Sequence, residues 1–483
     1  MAAQTEIFSK RVRDVMGAPP VACGPGTKLA DVVALLSRSG QSSAVVVDAD
    51  RRPVGILTEQ DIARRVTFQH GPEIAVEAVM TRPVAVAEAD DYLYRAIARM
   101  RRQHRRHMPV VDDGHRLVGM LDLTETLAAA ASRTMGQIER LTQEGDVAGL
   151  RQVKAAQADI AEELLEDNLP APDIQALLTD INRDIHRHLA ETATQAMQER
   201  GRGPPPVASA LIVMGSGGRG ESFLFPDQDN GFIIADYPDD AHDRIDGYFI
   251  EFATKLTADL DAIGIPYCQG HVMATNPLWR KTLSQWRHQV ALWAKRRGGE
   301  AVLNADIFFD FQPVWGEAAL AAALRADITK IAASHPNFLA TMARDDSGHG
   351  VGLDWLGRFR TGTGGRFDIK RHATVPLVES VRLLALVDGL EQTSTLGRLG
   401  ALRARGRLDA NDHDELVAAF EHIGFLLLRQ QLADYRAGRP VGNLVRLESM
   451  SRPEKSALRR ALKSIGSFRR RARADATGEI LGG

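Results

Sequence analysis

The sequence predicts an α+β protein of several domains. Short β-rich runs alternate with amphipathic helices in the first 130 residues, and long stretches of helical periodicity surround a second β-rich region in the middle of the chain. The chain has 483 residues, more than one ordinary hydrophobic core organises, so about three domains are expected. Its 44% hydrophobic and 25% charged residues are typical of folded globular proteins.

The charge balance and the cysteines limit the classes of partner and the compartment. Sixty basic residues face sixty-two acidic ones, for a net charge of −2, so the whole molecule has no attraction for nucleic acid or an anionic membrane. Cys23 and Cys268 lie far apart, which argues against a disulfide framework and predicts a reducing cytoplasm. No run reaches the roughly 20 apolar residues that a bilayer span requires. We therefore expect a cytoplasmic protein with neither a membrane nor a nucleic-acid partner.

An internal repeat fills the N-terminal region. Val15-Met16 recurs 64 residues later as Val79-Met80, and Val54 to Leu57 (VGIL) recurs as Val118 to Leu121 (VGML). Each copy contains a short extended segment, an amphipathic helix and two β-rich runs joined by a turn of Asp, Gly and Arg residues, a pattern that predicts a β-hairpin. Two such copies are expected to bury their apolar faces against each other.

This repeat resembles a tandem pair of CBS domains over residues 10–132. The resemblance rests on the Val-Met openings, on Pro109 to Asp112 (PVVD) and on Gly55 to Asp61 (GILTEQD). It implies an adenine nucleotide as regulator, with the Thr58 hydroxyl at the ligand phosphate and the Asp61 carboxylate at the ribose hydroxyls. It also implies a homodimer.

The second copy departs from that pattern. Asp122 stands where the first copy has Thr58, and Glu125 stands where it has Asp61. Because a carboxylate repels a phosphate, at most one of the two clefts is expected to bind a phosphorylated adenosyl ligand. The alternative is that the pair is a scaffold that only dimerises.

A buried-strand pattern ends in a glycine-rich turn in the middle of the chain. Ala210 to Met214 (ALIVM) is apolar, and Gly215 to Glu221 (GSGGRGE) follows it directly. Glycines let the backbone approach an anion closely, and amides at the start of a following helix donate hydrogen bonds to it. Strand, glycine turn and helix together favour a phosphate-binding site.

Two aspartates follow the turn at a spacing that suits a metal. Asp227 and Asp229 precede an apolar run, and in a strand residues i and i+2 point to one face, so the carboxylates converge. They repel each other unless a divalent cation lies between them; the alternative is a water-exposed turn that needs no metal. A third carboxylate is expected from a predicted strand over 305–311, with Asp310 as first choice and Asp306 as second.

These motifs resemble the nucleotidyltransferase superfamily that includes polymerase beta-like enzymes. More narrowly, residues 135–475 are similar to nucleotidyltransferase-like proteins fused to CBS domains and related to the PII-protein uridylyltransferases. Asn276 to Arg280 (NPLWR), Phe308 to Phe311 (FFDF) and Phe367 to His372 (FDIKRH) also match. The implied architecture is a tandem CBS pair (10–132), a helical linker region (133–203), a polymerase beta-like α/β core (204–325) and a C-terminal helical bundle (326–475).

The resemblance implies transfer of a nucleoside monophosphate from a nucleoside triphosphate (NTP) to an acceptor hydroxyl, expected on a protein, with Mg²⁺ or Mn²⁺ as cofactor. The candidate site residues are the catalytic metal ligands Asp227, Asp229 and Asp310 and the nucleotide-binding residues Gly215, Ser216, Arg219 and Glu221. Arg219 has two open interpretations: it neutralises the leaving pyrophosphate, or it pairs with Glu221 or another neighbour.

One position departs from the family pattern. An arginine often follows the Phe-Asp-Phe motif in the family, whereas this chain has Gln312, so one contact to the triphosphate is neutral. A second hypothesis is therefore a catalytically degenerate, nucleotide-sensing signalling protein that acts through partner binding.

Overall fold

The computed structural model describes residues 11–62, 71, 73–91, 93–102, 105–123, 125–126, 147–295, 307–345, 350–362 and 365–478. These residues belong to two compact units, Met1–Met135 and Gly136–Gly483. Both units contain helices and strands, which confirms the predicted α+β class. Within the described ranges, no helix combines the length and the apolar composition that crossing a membrane requires.

The first unit contains two three-stranded sheets of the same topology. The first sheet has the order β1 (Val21–Cys23), β2 (Ser43–Val47) and β3 (Pro53–Thr58), and the second has the order β4 (Ala87–Glu88), β5 (His107–Val111) and β6 (Leu117–Asp122). Helix α1 (Leu29–Ser39) follows β1 in the chain, and α2 (Leu93–Arg102) follows β4. In each sheet the first pair of strands is parallel and the second is antiparallel. The two predicted hairpins are thus confirmed.

The opening segment of each copy packs on the sheet of the other copy. A Cβ atom at Gly119 would lie 2.7 Å from the Met16 sulfur, and a Cβ atom at Gly55 would overlap the Met80 sulfur. The repeated Gly of VGIL and VGML is therefore needed because a methionine from the other copy occupies the space above it. A backbone bridge between Gly17 and Met120 likewise joins the opening segment of the first copy to the sheet of the second. Each of the two cores of this unit therefore contains residues of both copies: Val79 and Met80 pack in the core of the first sheet, and Val12 packs in the core of the second.

The second unit opens with two long helices and a mixed sheet. The helices are α3 (Val147–Glu166) and α4 (Ala171–Glu199). Along the chain follow β7 (Ser209–Val213), α5 (Gly215–Arg219), β8 (Asn230–Ile234), α6 (His242–Ile263), β9 (Arg280–Thr282), α7 (Leu283–Lys295) and β10 (Gln312–Gly316). The sheet order is β10-β7-β8-β9; β7 is antiparallel to both of its neighbours, and β8 is parallel to β9.

The strand predicted over 305–311 is wrong. Residues 307–310 form a helical turn, and β10 begins only at Gln312; Ala305 and Asp306 lie outside the described residues. Phe308, Phe309 and Phe311 are all buried, and Phe308 stacks on Trp286 with ring centroids 4.3 Å apart. A strand would have sent Phe308 and Phe309 to opposite faces, whereas the turn places both, together with Phe311, in one core.

The C-terminal part of the second unit is mainly helical. Its helices are α8 (Ala318–Ala333), α9 (Pro336–Asp345), α10 (Val375–Val387), α11 (Thr395–Ala404), α12 (Ala410–Arg436) and α13 (Arg452–Thr477). A five-residue π-helical turn (Lys370–Thr374) leads directly into α10. Strands β11 (Arg366–Asp368) and β12 (Leu444–Arg446) pair in antiparallel fashion. Phe367 and Val445, which face each other across this pair, are both buried in the helical core.

Candidate functional site

The glycine-rich turn lies in close contact with Asp229 and Asp310. Gly215 and Gly220 bracket α5 with φ values of 56° and 77°, a region that favours glycine. A Cβ atom at Gly215 would lie 2.9 Å from Asp229 Oδ2, and one at Gly218 would overlap the carbonyl oxygen of Asp310. The glycines therefore let the backbone of the turn approach both aspartates closely.

Asp227 and Asp229 lie side by side at the mouth of this turn. They precede β8 in an extended segment, and their carboxylate oxygens and the Cys268 sulfur all lie within 4.8 Å of one another. Gln228, between them, is buried, and its side-chain nitrogen donates to the carbonyl oxygens of Thr257 and Ile265, both at 2.9 Å. The alternation that anchors Gln228 inward directs the two carboxylates to a common point, as the i, i+2 spacing predicts.

The electrostatics of the pair suit a hard divalent cation. Burial and the negative charge of Asp227 raise the pKa of Asp229 to about 7, so the two carboxylates lack full compensation. Burial and the nearby carboxylate of Asp229 raise the pKa of the Cys268 thiol to about 12. The thiol therefore stays protonated and hydrogen-bonds to Asp229, which leaves two carboxylates as the oxygen ligands that Mg²⁺ and Mn²⁺ prefer.

Asp310 does not join the pair, and this corrects the prediction of a third metal ligand. Its Oδ2 accepts hydrogen bonds from Arg219 Nη1 at 2.8 Å and Arg382 Nη1 at 2.5 Å, and its Oδ1 accepts one from Arg398 Nη2 at 2.6 Å. Burial alone would raise the pKa of Asp310, but Arg398, Arg382 and Arg219 hold it well below its usual range. The carboxylate is fully buried and engaged by guanidinium groups, since the turn at 307–310 directs it toward α10 and α11.

The two residues expected to touch the nucleotide at the end of the turn are ion-paired instead. Arg219 Nε donates to Glu221 Oε2 at 2.7 Å, in addition to its bond with Asp310. Glu221 Oε1 accepts from the backbone N–H of Thr395 at 2.6 Å. Of the two interpretations left open for Arg219, the structure has the internal salt bridge. Arg219 and Glu221 therefore fasten the glycine turn to the first residue of α11, and their contact with a nucleotide stays a prediction.

Helices α3 and α4 support the loop that carries the aspartates. Arg183 Nη2 donates to the carbonyl oxygens of Gly217 at 2.7 Å and Gly218 at 3.2 Å. Buried Lys154 donates to Leu224 O at 2.8 Å, between the glycine turn and Asp227. Lys154 and Arg183 lie in the region predicted as a helical linker, and their support of the site was not predicted. A signal was present, because Thr179, Asn182, Arg183 and His186 form a polar stripe at i, i+3, i+4 and i+7 on α4.

A cleft of about 280 Å³ is lined in part by Asp227. Its apolar wall includes Phe223, Phe225, Phe420 and Ile423. The polar residues that line it include Gln175, Ser216, Arg219, Glu221, Asp227, Lys370, Thr374, Gln431 and Asn443. An apolar wall with a few convergent polar groups is typical of a small-molecule site.

The predicted CBS ligand residues contact each other in the first unit. Thr58 Oγ1 donates to Asp61 Oδ2 at 2.9 Å, and the Asp61 N–H donates to Thr58 Oγ1 at 3.2 Å, so the two residues cap the helical turn Glu59–Asp61. In the second copy, Asp122 Oδ2 accepts from Arg106 Nε at 3.1 Å. Burial opposes ionisation of Asp122, but the hydrogen bond from His107 and the charge of Arg106 hold its pKa below its usual range. The repulsion predicted there is partly compensated by Arg106.

Family models match most of the chain. Residues 155–300 match "Putative nucleotidyltransferase DUF294", residues 336–476 match "Putative nucleotidyltransferase substrate binding domain", and residues 12–67 and 76–132 each match the CBS domain. The chain belongs to the CBS-containing DUF294 family. The cleft lies where the two DUF294 segments meet, because Gln175 to Pro266 come from the first and Lys370 to Asn443 from the second. The aspartates thus lie in the segment that matches the nucleotidyltransferase model, and the segment that matches the substrate-binding model supplies part of the cleft wall.

Individual relatives of this DUF294 chain match it over shorter stretches. Inosine-5'-monophosphate dehydrogenase of Mycobacterium tuberculosis is 34% identical over 125 residues, 26% of this chain and 23% of that enzyme. An uncharacterised protein of Methanopyrus kandleri is 31% identical over 110 residues, 22% of this chain and 56% of that protein. A CBS-domain protein of Pyrobaculum aerophilum, solved with AMP, is 27% identical with a TM-score of 0.23, covering 24% of this chain and 89% of that one. The chain thus spans 23% and 56% of the length of these two curated relatives.

Proposed function

We propose that this protein is a metal-dependent nucleotidyltransferase that moves a nucleoside monophosphate from an NTP to an acceptor hydroxyl on a protein. The observation that carries the proposal is the convergence of Asp227 and Asp229 beside the glycine turn, at the edge of a cleft built from both DUF294 segments. Polymerase-type phosphoryl transfer needs a metal-binding carboxylate pair next to a triphosphate-binding surface.

The residues of the site fit a divalent cation. Asp227 and Asp229 would hold it, since their oxygens are close together and their charge is incompletely compensated. Bound there, Mg²⁺ or Mn²⁺ supplies Lewis-acid stabilisation of the charge on the reacting phosphate. Ser216 lines the cleft next to Asp227, and with Gly215 it is proposed to contact the phosphates. The apolar wall at Phe223 and Phe420 would exclude water from the reacting groups.

We further propose that an adenine nucleotide bound to the CBS pair regulates the enzyme, and that the chain forms a homodimer. The adjacency of Thr58 and Asp61 supports the ligand site, because a hydroxyl and a carboxylate lie within 2.9 Å of each other at the end of β3. The Pyrobaculum aerophilum relative was solved with AMP.

A second candidate function is a degenerate nucleotide sensor that acts through a partner. Two observations favour it: Gln312, which replaces the family arginine, donates to Thr393 Oγ1 at 3.1 Å, and Asp310 is engaged by three arginines. In this alternative the cleft binds nucleotide without turnover.

Label transfer separates the two candidates. Purified protein would be incubated with each α-labelled NTP, Mg²⁺ or Mn²⁺ and a cell lysate, and label on protein would be measured. The enzyme proposal predicts transfer that Asp227→Asn/Asp229→Asn abolishes. The matched control is Asp240→Asn/Asp243→Asn, which alters two exposed carboxylates that do not line the cleft. Transfer that survives the first double change would overturn the assigned role of the pair; nucleotide binding with no transfer would support the sensor.

A further inference from the structure

Lys370 is the first residue of the π-helical turn Lys370–Thr374 and lines the cleft together with Ser216 and Asp227. It is exposed, and no ion pair joins it to another described residue. A π-helical turn at the head of α10 is a rare conformation that often occurs at functional sites. The C-terminal segment thus presents an available cation to the cleft that Asp227 also lines.

The other basic side chains around the site are already engaged. Arg219 pairs with Glu221 and Asp310. Arg183 donates to carbonyl oxygens of the glycine turn and pairs with Asp180. Lys154 is buried and donates to the oxygens of Gln157, Asn182 and Leu224. Among the described residues that line the cleft, the basic ones are Arg219 and Lys370, so Lys370 is the cation left for a ligand.

The charge of a triphosphate requires such a cation. A divalent ion between Asp227 and Asp229 is balanced by those two carboxylates, and Gln312 is neutral. An NTP carries several negative charges along its phosphates.

Two residues that line the cleft each carry a buried polar atom without a hydrogen-bond partner. Gln175 is 2% exposed, and its side-chain nitrogen donates to Glu221 O at 3.1 Å, which fixes its amide orientation. Its Oε1 then has no hydrogen-bond partner among the described residues, and neither does Thr374 Oγ1 on the π-helical turn. Buried polar groups are rarely left unsatisfied, so these atoms fit a bound molecule that offers hydrogen-bond partners.

We propose that Lys370 binds the polyphosphate of the donor NTP, so that the substrate-binding segment completes the triphosphate site. This inference rests on the proposed nucleotidyltransferase function. A lysine ammonium binds phosphate as a compact point charge with three donors. The contact supplies positive charge that Arg219, ion-paired with Glu221 and Asp310, does not offer.

Calorimetry on the full chain tests the inference without relying on turnover. Each ribonucleoside triphosphate, inorganic tripolyphosphate and each nucleoside monophosphate would be titrated into protein with Mg²⁺. Lys370→Met is expected to weaken binding of triphosphates and tripolyphosphate by about 10- to 100-fold, the range for a lost hydrogen bond to a charged group, and to leave monophosphate affinity unchanged. Lys370→Arg should retain most of the affinity. Far-UV circular dichroism checks that the variants fold.

The control is Arg371→Met, which removes the neighbouring exposed cation that does not line the cleft. Equal triphosphate affinity in wild type and Lys370→Met would overturn the inference and leave the proposed function standing. An equal loss in Arg371→Met would also overturn it, since the effect would then come from the general field of the turn. A wild-type protein that binds no triphosphate would overturn the proposed function and the inference together.

Discussion

Replacing Asp310 by Asn is the perturbation that most sharply separates the structure from the sequence-based expectation. The fully buried carboxylate is bonded by Arg219, Arg382 and Arg398. With Glu221 included, three positive and two negative groups give the cluster a net charge of +1, and the substitution raises it to +2. Breaking a buried ion pair by neutralising one partner costs about 3–5 kcal/mol, because charge is left without compensation.

Tryptophan fluorescence isolates this effect. All five tryptophans (Trp279, Trp286, Trp293, Trp315 and Trp355) lie in the second unit, so their emission during heating reports on that unit alone. For a unit of this size, 1 kcal/mol shifts the melting temperature by roughly 2 °C. Asp310→Asn is therefore expected to lower it by about 6–10 °C in chelator.

Asp227→Asn is the isosteric comparison. Asp227 is exposed and faces Asp229, so removing its charge relieves repulsion and should leave the melting temperature unchanged or raise it. If Asp310 instead belonged to the metal-binding carboxylates, its substitution in chelator would behave like that at Asp227. An Asp310→Asn protein that melts at or above the wild-type temperature would therefore refute the ion-pair interpretation.

Three further substitutions test other parts of the account. In chelator, folded Asp229 has a pKa of about 7 against an ordinary 3.8, so the folded protein keeps a proton that the unfolded chain releases. The stability of the folded state therefore falls as the pH rises from about 4 to 7. Asp229→Asn should raise the melting temperature at pH 8 but not at pH 4. Gly218→Ala would place a Cβ against the Asp310 carbonyl, whereas Gly217→Ala makes only ordinary contact at 3.6 Å. Urea unfolding should show that Gly218→Ala alone lowers the free energy of unfolding, by about 1–3 kcal/mol. Equal losses in the two variants would contradict the close approach. Asp61→Ala should weaken the calorimetrically measured affinity for AMP, ADP or ATP by roughly tenfold. Glu59→Ala, at an exposed neighbour, should leave that affinity unchanged. Wild-type protein that gives no heat with any of these nucleotides would contradict the proposed regulatory site.

The features that sequence reasoning predicted are those that local patterns specify. The repeat made the two hairpins of the first unit predictable, since duplicated strands carry the same alternation. The i, i+2 spacing of Asp227 and Asp229 was enough to predict their convergence, because a short extended segment determines it.

The features that were missed depend on partners far along the chain. Asp310 was assigned to a metal because its run is apolar and acidic, but its orientation is set by Arg382 and Arg398 on α10 and α11. Lys370 belongs to the matching FDIKRH motif, yet its place in the cleft depends on how the C-terminal helices pack against the glycine turn. The polar stripe on α4 was readable from spacing alone, and it was overlooked because the region was interpreted as a linker.

Manganese binding followed by electron paramagnetic resonance tests the central claim, that Asp227 and Asp229 hold a divalent cation beside a bound triphosphate. Mn²⁺ would be titrated into the full chain with and without NTP, in wild type and in Asp227→Asn/Asp229→Asn. The account predicts that wild type binds Mn²⁺, that NTP tightens this binding, and that the double variant loses both effects. Undiminished Mn²⁺ binding in the double variant, or none in wild type with NTP present, would contradict it.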